Sequence, residues 1–132
     1  GRTMAQQNPG AFGPCWLVKG IKYVNSPNDE MLALDNTNLR DTAVISTSYQ
    51  KNILQQPQPD SAALLTLKNR ENDAITYSFK ASSPQFAVFS EIYYNAGWNA
   101  YLDGKKTDYV KANYALRGMY VPAGNHTIEF KF

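Results

Sequence analysis

Gly97-Trp98-Asn99-Ala100-Tyr101-Leu102-Asp103-Gly104-Lys105-Lys106-Thr107-Asp108-Tyr109-Val110 is the stretch on which the fold reading turns. Two strand-like runs, 97–102 and 105–110, flank an Asp-Gly pair. That pair is the signature of a two-residue type I′ hairpin, because both central residues need positive φ. Outward from it the chain continues as strands. Ile75, Tyr77 and Phe79 alternate with Thr76, Ser78 and Lys80, a period of two. Leu65 and Leu67 do the same with Thr66 and Lys68. Residues 86–92 are apolar on both faces, which predicts a central strand covered on both sides. Residues 112–121 and 126–132 read as a second hairpin across Pro122-Ala123-Gly124-Asn125. Seven or eight short strands define a mainly β chain, an antiparallel β-sandwich of jelly-roll type. Its inter-sheet core is expected to hold Ile75, Tyr77, Phe79, Phe86, Val88, Leu102, Leu116, Ile128 and Phe130.

The N-terminal part differs in character. Residues 1–13 are polar and rich in Gly and Pro and read as an irregular lead-in, with Gly1 as a tag remnant; residues 14–132 form the single β-sandwich domain. Residues 15–24 read as one strand. Ser26-Pro27-Asn28-Asp29-Glu30 then has the chemistry of a helix start: a capping hydroxyl, a proline in the first turn, and acids at the positive end of the dipole. Met31, Leu32 and Leu34 are the expected apolar side of this one short helix, with Leu39 beneath it. Ala43-Val44-Ile45 reads as a strand, and residues 50–60 as a polar, proline-bearing loop. The chain stops at Phe132 inside an alternating run, which predicts a fragment of a longer protein.

Composition narrows the function classes. The chain has 132 residues, 43% apolar and 18% charged, the balance of a globular domain. Thirteen basic and eleven acidic residues give a net charge of +2, too balanced for a nucleic-acid binder. No apolar run reaches the roughly 18 residues of a transmembrane helix, and no signal peptide is visible. The single Cys15 excludes an internal disulfide and a cysteine-based zinc site. The single His126 removes most triad and metal-ligand readings. The seven Asp and four Glu show no cluster, so no catalytic residue, metal site or cofactor is assigned.

One ordered set of motifs is more specific. It comprises Phe89-Ser90-Glu91-Ile92-Tyr93-Tyr94, the stretch from Gly97 to Lys105, Asn113-Tyr114-Ala115-Leu116-Arg117, and Val121-Pro122-Ala123-Gly124-Asn125-His126-Thr127-Ile128-Glu129-Phe130. With Asn8-Pro9, Gly13, Trp16, Val18 and the segment around Met31-Leu32-Ala33-Leu34, it resembles the extracytoplasmic C-terminal domain of YfhO-type bacterial membrane proteins. Asn95-Ala96 stands where a proline is often found in that family. The resemblance implies a large polytopic parent of GT-C-like glycosyltransferase architecture, moving sugars from lipid-linked donors onto cell-envelope polymers. The catalytic acids of such proteins lie in membrane-proximal loops outside this stretch. This chain would then be a non-catalytic accessory domain, tethered to the inner or cytoplasmic membrane. Its partners would be the transmembrane remainder of the parent and, through a direct contact, cell-envelope glycan, with no nucleic acid. The alternative is a stand-alone carbohydrate-binding module. An independent enzyme finds no supporting constellation.

If the domain touches glycan, the contact is expected at Trp98, Asn99 and Tyr101, with Asn113 and Arg117 nearby. An indole or phenol ring suits the C–H face of a pyranose, and amides and a guanidinium suit its hydroxyls. Trp98 and Tyr101 are three apart on a strand and therefore face opposite sides. Each residue also has a structural reading: Trp98 as core, Arg117 as the ion-pair partner of Glu91 or Asp103, Asp103 as a turn residue, and His126 as a structural side chain. Asn125-His126-Thr127 fits the glycosylation pattern by chance in a bacterial envelope protein.

Overall fold

The computed structural model describes residues 12–132. Most of the lead-in expected over 1–13, including Gly1 and Asn8-Pro9, lies outside the described residues. Strands β1 (Cys15–Val18) and β2 (Gly20–Val24) precede helix α1 (Pro27–Asn36) and β3 (Thr42–Ser46). A 3₁₀ segment, Thr47–Asn52, leads towards β4 (Leu64–Arg70), β5 (Ala74–Ala81) and β6 (Gln85–Ile92). The chain continues through β7 (Asn99–Leu102), β8 (Lys105–Thr107), β9 (Val110–Ala112), β10 (Leu116–Val121) and β11 (Gly124–Lys131). Six strands form one sheet in the order β1-β6-β10-β9-β3-β2, and five form the other in the order β4-β5-β11-β7-β8. β2 and β3 run parallel; every other pairing is antiparallel. Among the described residues the fold is thus mainly β, two packed sheets with one short α-helix.

The sandwich core is aromatic. Ala87 and Phe89 of β6 and Met119 and Val121 of β10 pack on Tyr77, Phe79, Ile128 and Phe130 of the other sheet. Phe89 lies 4.7 Å from the Tyr77 ring and 5.0 Å from that of Phe130. A second core occupies the other face of the six-stranded sheet. It is built from Trp16, Val18, Ile45, Phe86, Val88 and Val110, among others. Topology explains it. β1 and β2 are the two edges of that sheet, yet only Lys19 separates them in the chain. Two peptide steps reach at most ~7 Å, whereas a flat six-stranded sheet would hold its edges roughly 24 Å apart. The sheet is therefore rolled, and the second core fills its concave face. Lys19 and Gly20 both donate their N–H groups to the Asp41 carbonyl at this junction.

The expected inter-sheet core needs correcting for four residues. Phe86, Val88 and Leu116 are buried, but inside the rolled sheet, and Leu102 is only half-buried. β6 is buried on both faces, so alternation alone could not say which face met the second sheet. The single strand expected over 15–24 is broken at Lys19. The second hairpin is also corrected. β10 and β11 belong to different sheets, and Pro122-Ala123 is a corner between them. A proline without an N–H and Gly124 at φ 123° suit a chain leaving one ladder for another. On α1, the Ser26 hydroxyl accepts from the Asp29 N–H and Pro27 opens the helix. Its buried side is Glu30, Ala33 and Leu34, packed with Leu39, while Met31 and Leu32 are exposed.

The Asp103-Gly104 turn stands as expected, but its second strand, expected over 105–110, ends at Thr107, and Val110 opens β9 in the other sheet. Leu102 pairs with Lys105, and φ is 52° at Asp103 and 84° at Gly104. A β-carbon added at Gly104 would meet nothing within 4 Å. The cost of Gly104→Ala is therefore conformational alone, about 1 kcal/mol, and should appear as a lower thermal midpoint.

Candidate functional site

Five residues were expected near a glycan contact, and the fold separates them. Arg117 is 3% exposed on β10, opposite Phe89. Its guanidinium lies 4.7 Å from the Trp98 ring centroid and 4.9 Å from that of Phe130, and Nε donates to the Ile92 carbonyl at 3.0 Å. It makes no ion pair among the described residues. Glu91 pairs instead with Arg70, which corrects the expected Arg117 pairing: sharing a face with Phe89 turns Arg117 into the core. Burial pulls its pKa below the usual value, and the two ring faces favour the cation it remains.

Asn113 is structural. Its Oδ1 accepts from the Val44 N–H and its own N–H donates to the Val44 carbonyl, both at 2.8 Å. It sits with Tyr114 in a turn where both residues have positive φ, 52° and 73°. The buried Glu30 carboxylate clamps that turn by accepting from the Tyr114 N–H at 2.8 Å. Tyr101 lies on the outer face of the five-stranded sheet, opposite Glu129, with Lys131 Nζ 5.2 Å from its ring. Trp98 faces inward against the sandwich core. The opposite facing of Trp98 and Tyr101 is thus as read from their spacing.

Trp98 and Asn99 do share a groove of about 260 Å³. Its wall is aromatic. Tyr93 lies 6.2 Å from Tyr49 and 5.5 Å from Tyr109. Tyr109 is anchored edge-on against Phe130 at 5.2 Å, and its hydroxyl donates to the Trp98 carbonyl at 2.9 Å. Burial, then the neighbouring Tyr93 hydroxyl, pushes the Tyr49 phenol up to about 12. Polar groups complete the lining. Asn52 donates its amide to Asp108 Oδ2 at 3.2 Å, and Asn95, Asn99 and Lys106 stand around the rim. Sequence reasoning missed Tyr49, Asn52, Tyr93 and Tyr109 as one set. The alternation of rings and amides across Tyr93, Asn95, Trp98 and Asn99 was the available signal.

Elsewhere the chemistry is structural. Burial pushes the Cys15 thiol up to about 11, away from nucleophilic use. Asp103 Oδ2 lies 2.6 Å from His126 Nδ1, and His126 Nε2 lies 3.0 Å from the Ala123 carbonyl. With an acceptor at each nitrogen, the ring is suited to its doubly protonated form. Burial alone would lower the His126 pKa, but Asp103 and the Ala123 carbonyl carry it above 6.5. The His126 hydrogen bond, then the Thr127 N–H, holds Asp103 below its ordinary 3.8. The histidine's contribution to stability is therefore full below pH 6.5 and is lost as pH rises through its raised pKa; the aspartate's is lost as pH falls through its lowered one. Asp103→Asn should lower the melting midpoint most between pH 3.8 and pH 6.5, with the gap narrowing as pH rises through the raised histidine pKa. A gap constant across that range would mean the imidazole is neutral throughout.

Among the described residues no three of His, Cys, Asp and Glu gather where they could hold a metal, and no helix is long and apolar enough to cross a membrane. The fold and groove thus define a β-sandwich module with a ring-and-amide cleft. Comparison with known proteins places it more closely: residues 24–132 match the family of the bacterial membrane protein YfhO, and the chain belongs to that family. It is 30% identical over 96 residues to the YfhO protein of Bacillus subtilis strain 168. That match covers 71% of this chain and 11% of the relative, so the chain aligns with a small part of that relative's length. No solved structure matches it.

Proposed function

We propose that the chain is a non-catalytic, extracytoplasmic accessory domain of a membrane-embedded, glycosyltransferase-like protein that modifies cell-envelope glycan. The observation that carries this reading is the family match combined with scale: a membrane-protein family, a relative of which the chain spans 11%, and a described fold without a membrane-crossing helix. The transmembrane remainder of the parent is the first partner. Glycan is the second, and the ring-and-amide groove favours the reading of the domain as a carbohydrate-binding module within that parent.

Excising residues 14–132 from the full-length parent tests this. With membrane levels of the protein unchanged by immunoblot, modification of the envelope polymer is expected to fall to background. The purified chain is expected to show no turnover of a polyprenyl-phosphate sugar. Unchanged modification after excision would remove the accessory role, and turnover by the purified chain would remove the non-catalytic one.

A further inference from the structure

We infer that the groove between the 3₁₀ segment and the β8–β9 connection binds one uncharged pyranose unit, held against the Tyr49–Tyr93 wall with Asp108 as its principal hydrogen-bond acceptor. The choice of an envelope glycan as the source of that sugar rests on the function proposed above; the site itself rests on four features of the groove.

The first is shape. At about 260 Å³ the groove falls just below the roughly 300 Å³ at which pockets for drug-sized ligands begin, a scale that suits a single ring. The second is the wall. Tyr49 and Tyr93 are half-buried, packed against each other and braced by Tyr109, which is itself fixed to Phe130 and to the Trp98 carbonyl. Rings held this way offer an apolar face at small entropic cost. Trp98 contributes less, because Arg117 lies over its ring and Phe132 packs edge-on at 5.4 Å.

The third feature is the disposition of polar atoms. Asn52 fixes one oxygen of the exposed Asp108 carboxylate and leaves the other as an acceptor at the rim. A carboxylate oriented by a neighbour can receive two hydroxyl donors, as vicinal sugar hydroxyls require. The side-chain amides of Asn95 and Asn99 make no hydrogen bond to another protein group among the described residues, so each keeps a donor and an acceptor for a ligand. The fourth is charge. Among the described residues the groove is lined by Lys106 and Asp108 and no other ionised group, so these local charges cancel and a polyanion gains nothing from them. A purely apolar partner would cover the Asn95 and Asn99 amides and the second Asp108 oxygen without offering them hydrogen bonds, which disfavours a lipid or an apolar peptide.

Two-dimensional NMR of the isotope-labelled chain tests the site directly. The probes are cellotetraose, maltotetraose, mannotetraose and chitotetraose, with polygalacturonate as the charged counterpart. At least one neutral probe is expected to shift the amides of Tyr49, Asn52, Tyr93, Asn99 and Asp108 with a Kd of roughly millimolar order. Asp108→Ala, an exposed change that leaves the fold intact, should weaken that binding by roughly tenfold, the loss of a charge-assisted hydrogen bond. Tyr93→Phe should retain binding and Tyr93→Ala should lose it, with unchanged shifts at the hairpin of Asp103-Gly104 reporting that the variant is folded. No shift with any neutral probe, shifts confined to another face, or a response to polygalacturonate alone would overturn the site. Those results leave the accessory role standing if excision in the parent still abolishes modification. Binding in vitro with unchanged modification after excision would remove the role and keep the site.

Discussion

Phe130→Ala is expected to lower unfolding stability by about 3–5 kcal/mol, the range for removing a fully buried aromatic ring from a core that cannot collapse around the gap. Phe130 is 0% exposed on β11, the middle strand of its sheet. Its ring meets Phe89 at 5.0 Å, Tyr109 at 5.2 Å and Tyr77 at 6.1 Å, and the Arg117 guanidinium at 4.9 Å. Truncation would open a void among four side chains and strip one of two ring faces from a buried cation. Equilibrium urea denaturation measures the effect. A loss below roughly 1.5 kcal/mol, the scale of a volume-conserving swap, would contradict this packing.

Gly118→Ala is expected to cost about 1–3 kcal/mol, although alanine ordinarily outperforms glycine in a strand. A β-carbon at this position would lie 2.6 Å from Phe86 Cζ, 2.9 Å from Cε2 and 3.2 Å from Ala112 Cβ. Phe86 is itself 0% exposed inside the rolled sheet, where close packing resists a shift of its ring. The same chain carrying Phe86→Leu should regain part of the loss, giving a favourable coupling in a double-mutant cycle. Strict additivity of the two changes would show that the clash is relieved some other way.

How much was legible from the sequence depended on the range of the interaction. The Asp103-Gly104 turn, the Ser26 cap and the two-sided burial of β6 are set by neighbours a few residues apart, and all could be read directly. The destination of each strand could not. Pro122-Ala123-Gly124-Asn125 carries turn chemistry whether the next strand pairs with the last or crosses to the other sheet, and here it crosses. Phe86 and Phe89 were both recognisably buried, but the rolling of the sheet decides which core each enters. The groove was hardest, since Tyr49, Tyr93 and Tyr109 come from three separate segments. Asn113 resembled a polar ligand group because nothing local reveals that its amide completes the ladder of β3.

The strand order has a consequence for the history of each molecule. β11, the last strand described, is the centre of its sheet, flanked by β5 and β7. β1, the first strand described, pairs with β6, joining Cys15 to Phe89. During synthesis the hairpins β4–β5 and β7–β8 must therefore wait with open edges until β11 arrives. Such non-local closure makes folding slow and leaves unpaired strands available to other chains. A domain closed this way completes its sheets late, and its yield in the cell is set by folding kinetics as much as by the depth of its native well.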